Sequence, residues 1–158
     1  SDFLGACNQH NTYFKSQTEK LFDCVIASGG GYPKDINFIQ SHKSVHNAAS
    51  FVKDGGTLIL LAECRDGIGT GTFLPLFRAG GWDNVFDKLS KKYEGNGGTA
   101  LAMMEKTKRI NIFMITNLDE ETCSLMGVKK IDEMQAGDML KKQTGSVAVI
   151  ENASMLIR

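Results

Sequence analysis

The sequence predicts an α/β domain built on a mostly parallel five-stranded sheet with helices on both faces, a Rossmann-like three-layer arrangement. Short apolar runs of about four to eight residues recur along the chain, each bounded by glycine or by polar turn residues. Segments with a helical pattern separate these runs. Apolar runs without polar alternation indicate strands that are buried on both faces, which is typical of parallel sheets covered by helices.

Five segments are predicted to be strands. The clearest are DCVIAS at 23–28 and GTLILLAE at 56–63, because both are continuous apolar runs next to glycine. RINIFMIT at 109–116 is the third strand. VKKID, near residue 128, is a weak fourth strand, and SVAVIE at 146–151 is the fifth.

Helices are predicted before the first strand and between each pair of consecutive strands. They cover the first 20 residues up to about Lys20, then 35–53, 72–93 with a break at Gly80–Gly81, 98–107, 119–126 and 132–143. Trp82 and Phe86 are four residues apart, so we expect both side chains on one helix face and in the core.

Composition bounds the function. The 158 residues suit one domain, and 18 Lys and Arg balance 18 Asp and Glu, which argues against a nucleic-acid or membrane-surface protein. The longest apolar run, TLILLA, is too short to span a bilayer. The four cysteines form no C-x-x-C pair, which argues against a zinc knuckle and favours a reduced, cytoplasmic setting. The chain begins without Met, so we expect a piece of a longer protein.

The stretch ASGGGYPKDIN joins the first strand to the second helix. Ligands of such sheets bind beyond the carboxyl ends of strands, where Gly29, Gly30 and Gly31 lie. Glycine there permits positive φ, and free N–H groups at a helix start favour an anion. Asp35 is a candidate cap for that helix. The alternative is a glycine turn without a ligand, since neither the G-x-G-x-x-G nor the P-loop pattern is present.

The second helix has two different sides. Phe38, Val45, Ala49 and Val52 form a stripe that should pack on the sheet, while Gln40, Lys43 and Asn47 cluster on the other side. A solvated face is the alternative for this polar side. His42 and His46 have a spacing that can place two imidazoles on one metal ion, but no third ligand is near, so we predict no metal site in this chain.

The second strand ends in AECRDGIGTG. Glu63, Arg65 and Asp66 therefore stand at a neighbouring carboxyl end, followed by a second glycine-rich loop. Two such loops predict a crevice. The alternative for Arg65 is an internal salt bridge to a nearby carboxylate.

These residues carry a family resemblance. The pattern G-G-Y-P-K-D-I-N, then Q-x-x-K, then G-G-T-L-I-L-x-A-E-C resembles the C-terminal domain of nickel-pincer-nucleotide-dependent lactate racemase and its 2-hydroxyacid racemase relatives. Weaker likeness continues from GGTALAMMEKTKRINIFMIT to the C-terminus, so the resemblance covers nearly the whole chain.

The resemblance implies that residues 1–158 are one domain of a two-domain isomerase whose site lies in the cleft between its domains. The partners would be the N-terminal domain of the same protein and a small 2-hydroxyacid. The N-terminal domain would tether the nickel pincer nucleotide through a lysine and supply the nickel ligand and catalytic histidines. Hydride from the 2-hydroxyacid would move to this cofactor and return on either face.

The family's C-terminal glutamine and lysine match Gln40 and Lys43 as catalytic residues, and Gly29, Gly30, Gly31 and Tyr32 would adjoin the cofactor with them. The family often has tyrosine before the glutamine, where this chain has Ile39, so the resemblance implies a 2-hydroxyacid racemase without specifying lactate. The chain alone would hold no cofactor and be inactive. The alternative is a stand-alone α/β module that binds a small anion or nucleotide without catalysis.

Overall fold

A computed structural model describes residues 2–16, 18–156 and 158. Its five strands form one sheet in the order β4-β3-β2-β1-β5, and each of the four neighbouring pairs is parallel. The strands are β1 (Phe22–Ser28), β2 (Val52–Leu61), β3 (Asn111–Ile115), β4 (Lys129–Lys130) and β5 (Val147–Ile150). The predicted parallel α/β sheet is therefore confirmed, including the weak strand near residue 128.

Helices occupy the predicted intervals. In chain order they are α1 (Phe3–Phe14), α2 (Phe38–Ala49), α3 (Leu74–Phe77), α4 (Trp82–Lys91), α5 (Gly97–Arg109), α6 (Glu120–Leu125) and α7 (Glu133–Lys142). The predicted break at Gly80–Gly81 separates α3 from α4, and both glycines have positive φ. The prediction that the first helix reaches Lys20 was wrong, because it ends at Phe14. No helix within the described ranges is both long and apolar enough to cross a membrane.

The bounds of α2 differ from the prediction at both ends. The helix begins at Phe38 because the side chain of Asn37 accepts the Gln40 N–H at 3.0 Å, so Asn37 is the N-cap and Asp35 is not. It ends at Ala49 because the chain already enters β2 at Val52, which pairs with Phe22 of β1. β2 is correspondingly longer at its start than the predicted strand 56–63.

One large core lies on the sheet face that α2 to α6 cover. Val25 and Leu58 point into it from β1 and β2, and Phe38 and Val45 meet them from α2. The other face carries a smaller cluster in which Ala136 of α7 packs against Cys24 and Ile59. Neighbouring positions of one strand thus contact different helices, which explains the continuous apolar runs in the sequence.

The expectation that Trp82 and Phe86 belong to the core was wrong. Their side chains are 41% and 48% exposed, and their rings stack on each other with centroids 5.0 Å apart. The residues of α4 that reach the core are Val85 and Leu89, also four apart. Because both pairs have helical spacing, the sequence alone does not tell which of the two faces the sheet.

Candidate functional site

The loops that follow β1 and β2 join at the carboxyl edge of the sheet. Four backbone hydrogen bonds connect residues 35–39 to residues 64–68; for example, the Asp66 N–H donates to Ile36 O at 2.9 Å and the Phe38 N–H donates to Gly67 O at 3.0 Å. Two of these four bonds are donated by the N–H groups of Phe38 and Ile39, which lie in the first turn of α2 and have no acceptor within the helix. The two loops therefore form one surface, from which α2 begins.

The glycine loop has the conformation that its sequence requires. Gly30 and Gly31 have φ of +89° and +70°, in the left-handed region that favours glycine. The Gly29 N–H donates to Leu61 O at 2.8 Å, and the Gly30 N–H donates to Ser28 Oγ at 3.0 Å. Of the three glycine N–H groups, only that of Gly31 has no acceptor within the described chain. If this loop binds an anion through its backbone, as the sequence predicts, the Gly31 N–H is the group available to donate.

Tyr32 and Arg65 stack on each other across the two loops. The Arg65 guanidinium lies 4.0 Å from the centre of the Tyr32 ring, and the Tyr32 side chain is 63% exposed. No carboxylate of the described residues lies within 4.0 Å of Arg65, so the internal salt bridge considered from the sequence is not formed. The guanidinium keeps hydrogen-bond donors for another partner.

Gln40 and Lys43 form a pair on the outer side of α2. Lys43 Nζ donates to Gln40 Oε1 at 2.8 Å, and the lysine is exposed. Asn47, predicted on the same side, has a different role, because its Nδ2 donates to Ala153 O at 2.8 Å and holds the C-terminal segment against the helix. Gln40 and Lys43 therefore contact each other, whereas Asn47, the third residue predicted on this side, contacts the C-terminal segment instead.

Asp35 is a buried carboxylate at this edge that sequence reasoning took for a helix cap. It is 6% exposed, and its Oδ2 accepts the Glu63 N–H at 3.1 Å. Its Oδ1 has no hydrogen-bond partner in the described structure. Asp35 and Glu63 line a cavity of about 350 Å³ beyond the ends of β1, β2 and β3. A signal was available in the sequence, since two loops at adjacent strand ends each carry a carboxylate.

His42 and His46 lie where α2 faces α5. Burial is the largest cause that lowers the pKa of His42, and together with the charges of Lys106 and His46 it lowers this pKa from 6.5 to about 4. The pKa of His46 is lowered by the same two causes, burial and Lys106. No cluster of three His, Cys, Asp or Glu side chains suited to a metal ion occurs among the described residues.

The cysteines are free thiols, and three of them are buried. Burial raises the pKa of Cys24 and Cys64, and raises that of Cys123 to about 11. These three side chains are therefore protonated at neutral pH and are poor nucleophiles and metal ligands in this state.

Comparison with known proteins matches this chain to one family. The model of the lactate racemase C-terminal domain family matches residues 17–157. A lactate racemase from Thermoanaerobacterium thermosaccharolyticum is 46% identical over 59 residues, which are 37% of this chain and 14% of that protein. A lactate racemase from Lactiplantibacillus plantarum is 45% identical over 47 residues, 30% of this chain and 11% of that protein.

Solved structures support the same fold. The lactate racemase apoprotein from Thermoanaerobacterium thermosaccharolyticum superimposes with a TM-score of 0.83 and 23% identity, covering 98% of this chain and 39% of that one. A crystal structure of a protein from Thermotoga maritima gives a TM-score of 0.62 at 12% identity, covering 98% of this chain and 41% of that one. The chain thus spans about two fifths of the length of these proteins. From the family match over residues 17–157, the chain belongs to the lactate racemase C-terminal domain family.

Proposed function

We propose that residues 1–158 form the C-terminal domain of a larger, two-domain 2-hydroxyacid racemase. In this proposal the N-terminal domain of the same protein closes over the carboxyl edge of the sheet and completes the active site. The observation that carries the proposal is the Gln40–Lys43 pair, which is hydrogen-bonded at 2.8 Å on the outer side of α2, in a chain of this family.

The pair suits the recognition of a 2-hydroxyacid. An ammonium group has three donors, and Lys43 uses one of them on Gln40 Oε1. Two donors and the positive charge remain for a carboxylate or for the oxygen of a developing ketone. Because Gln40 Oε1 faces Lys43, the amide nitrogen of Gln40 is the part left to donate to the same ligand. Lys43 would thus bind the charge while Gln40 fixes the orientation.

In this proposal the described residues contact the nickel pincer nucleotide from one side of the cleft, and none of them is a nickel ligand. Gly31 is open, since a Cβ there would meet no atom within 4 Å, and its N–H is free within the described chain. The exposed ring of Tyr32 lies next to it. When bound, this cofactor supplies the hydride acceptor and donor of the racemisation. The tethering lysine, the nickel ligand and the acid–base histidines would lie in the N-terminal domain.

The side chain before Gln40 bears on the substrate. Ile39 is packed against the core, where relatives of this family often have tyrosine, so no hydroxyl is offered to the ligand at this point. The proposal therefore keeps to 2-hydroxyacids as a class, and lactate is one member to be tested among several.

The test uses the full-length enzyme loaded with its cofactor, with racemisation followed by chiral chromatography. Lys43→Ala removes a charge-assisted contact worth roughly 1.5–3 kcal/mol, and a ten-fold or larger fall in kcat follows if the contact forms mainly in the transition state. Lys91→Ala is the matched control, because Lys91 is an exposed lysine on α4. Unchanged kcat and KM in Lys43→Ala would refute the role of the pair. A gene without an N-terminal domain would instead favour the stand-alone anion-binding module.

A further inference from the structure

The first helix of the chain lies outside both cores of the domain. No residue of α1 (Phe3–Phe14) is buried. No α1 residue belongs to either core cluster of the described structure, whereas each helix from α2 to α7 contributes at least one buried residue. Within the described residues, the hydrogen bonds of α1 reach no further than Lys15. The core of this domain therefore does not stabilise α1.

The surface of α1 is apolar and uncharged. The segment FLGACNQHNTYF contains no Asp, Glu, Lys or Arg. Phe3, Leu4 and Tyr13 are 79%, 71% and 74% exposed. Helices on the surface of a protein normally carry charged or polar residues on the side that faces water. Several large apolar side chains in exposed positions indicate a surface that another protein surface covers.

The apolar residues of α1 are concentrated on one side. At 100° per residue, Phe3, Cys7 and Phe14 point in nearly the same direction, whereas Asn8 and Thr12 point the opposite way. We call the first three residues the apolar side of α1. An isolated helix of 12 residues is marginally stable in water, and helices in proteins gain most of their stability by packing such a side. A stable α1 therefore needs a partner outside its own domain.

Two observations place the boundary of this domain after α1. The model of the lactate racemase C-terminal domain family begins its match at residue 17, beyond the end of the helix. In the structure, Arg158 Nη2 donates to Glu19 O at 2.8 Å, and the Arg158 guanidinium lies 5.8 Å from the centre of the Phe51 ring. Arg158 thus holds the chain against the domain at Glu19. The helix before this point is free to belong to another structural unit.

The two-domain arrangement supplies a partner for this helix. In that arrangement the N-terminal domain precedes α1 and is joined to it covalently, which gives the domain a high effective concentration at the helix. The match to the lactate racemase apoprotein covers 39% of that chain, so more than half of that chain is additional protein. A second copy of this chain would have to associate from solution without the covalent connection. An uncharged apolar side of a helix fits an apolar groove.

We infer that α1 packs against the N-terminal domain of the same protein, with Phe3, Cys7 and Phe14 in an apolar groove of that domain. In this arrangement α1 is structurally a helix of the N-terminal domain, and the boundary between the two domains lies between Phe14 and Glu19. The inference rests on the two-domain arrangement of the proposed function, and it does not depend on the racemase reaction.

Hydrogen–deuterium exchange followed by mass spectrometry tests it on the 158-residue chain and on the full-length protein. The readout is the exchange of peptides from α1, with β1 as the reference for a folded domain. In the 158-residue chain we expect α1 to exchange at close to the unfolded rate while β1 is protected. In the full-length protein α1 should exchange at least about 100-fold more slowly, because packing raises the free energy of opening the helix.

A double variant of the full-length protein tests which side of α1 makes the contact. Phe3→Glu with Cys7→Glu should make α1 exchange about ten-fold faster or more, because two charges enter an apolar contact. Glutamate forms helices better than phenylalanine or cysteine, so faster exchange would reflect lost packing and not a weaker helix. Asn8→Glu with Gln9→Glu is the matched control, since it adds the same two charges away from the apolar side and should exchange as the wild type does. If rapid exchange of β1 shows that the first double variant does not fold, Phe3→Gln replaces it with the same expectation.

Equal exchange of α1 in the two wild-type proteins would overturn the inference. Slow exchange in both would mean that α1 packs on its own domain, and rapid exchange in both would mean that nothing covers it. Slow exchange in the 158-residue chain that appears only at high protein concentration would assign a second copy as the partner instead. Wild-type exchange in the Phe3 and Cys7 double variant would refute the contact through the apolar side. Racemisation is not measured here, so an unchanged kcat in Lys43→Ala would refute the proposed function alone, and rapid exchange of α1 would refute this inference alone.

Discussion

Acid should destabilise this domain through His42. The imidazole is largely buried where α2 meets α5, and its Nε2 has no hydrogen-bond partner in the described structure. The charged groups that face it are Lys106 and His46, and both oppose a positive charge on the ring. The protonated form is therefore strongly disfavoured in the folded state and is normal in the unfolded chain.

The magnitude follows from the shift. The pKa of His42 falls from 6.5 to about 4 on folding. A difference of about 2.5 at 1.36 kcal/mol per pKa unit gives about 3 kcal/mol. The sign follows from proton uptake: between pH 6.5 and 4 the unfolded chain binds the proton and the folded chain does not, so the free energy of unfolding decreases as the pH falls. It is at its full value above pH 6.5.

Urea denaturation at several pH values between 7.5 and 4 measures this effect. We compare the wild type with His42→Leu, and we use His10→Gln as a control because His10 is exposed on α1. The lowered pKa values of Asp23 and Asp119 make stability fall below about pH 5, but they do so equally in the wild type and in His42→Leu, so this effect cancels in the comparison. His42→Leu should lose about 3 kcal/mol less than the wild type between pH 7.5 and 4. Parallel pH profiles for the two proteins would refute the reasoning.

Two further predictions concern the core and the activity. Phe38→Ala should lower the free energy of unfolding by roughly 3–5 kcal/mol, because Phe38 is fully buried and its ring lies 5.6 Å from that of Phe73, whereas Phe86→Ala, at a half-exposed ring, should cost much less. Equal costs in urea denaturation would contradict the assignment of the core. The 158-residue chain alone should not racemise a 2-hydroxyacid when incubated with nickel and cofactor, and chiral chromatography that finds turnover above the protein-free control would show catalytic groups within this chain.

The sequence predicted the sheet well because its signals are local. The central strands β1 and β2 have consecutive buried residues, such as Cys24 with Val25 and Leu58 with Ile59, so both appear as continuous apolar runs next to glycine. Lys129–Lys130, a strand of two exposed residues, lies within VKKID, which was the weakest of the five predicted strands. Helix faces were harder, because Trp82 with Phe86 and Val85 with Leu89 have the same spacing and only packing decides which pair is buried.

The candidate site was predicted in part. The pairing of Gln40 with Lys43 follows from helical spacing, and the structure shows their hydrogen bond. The cap of α2 does not follow, because Asp35 and Asn37 are both suitable residue types two positions apart. The choice depends on carbonyl oxygens of the second loop, which take the Phe38 and Ile39 N–H groups and leave the Gln40 N–H to Asn37. A partner that lies about thirty residues away in the sequence cannot be seen in a local pattern.

The second glycine-rich loop contacts Asn37, the N-cap of α2. The conformation of this loop can therefore affect the direction of α2 and the position of Lys43. Gly69 has φ of +90°, and a Cβ there would lie 2.5 Å from Cγ of Asn37, the N-cap. Gly69→Ala should therefore displace this cap and strain the backbone, with a cost of at least about 1–2 kcal/mol in the free energy of unfolding.

Gly71→Ala is a matched control, because it lies two residues away, has no positive φ and would place its Cβ in open space. Its effect should stay within about 0.5 kcal/mol. If the cap fixes the direction of α2, the Gly69 variant should also shift the NMR signals of Gln40 and Lys43, which its methyl group does not touch. A Gly69 variant as stable as the Gly71 variant, with unchanged signals on α2, would show that the loop and the helix are independent. In that case the positions of Gln40 and Lys43 would depend on the core contacts of Phe38 and Val45 alone.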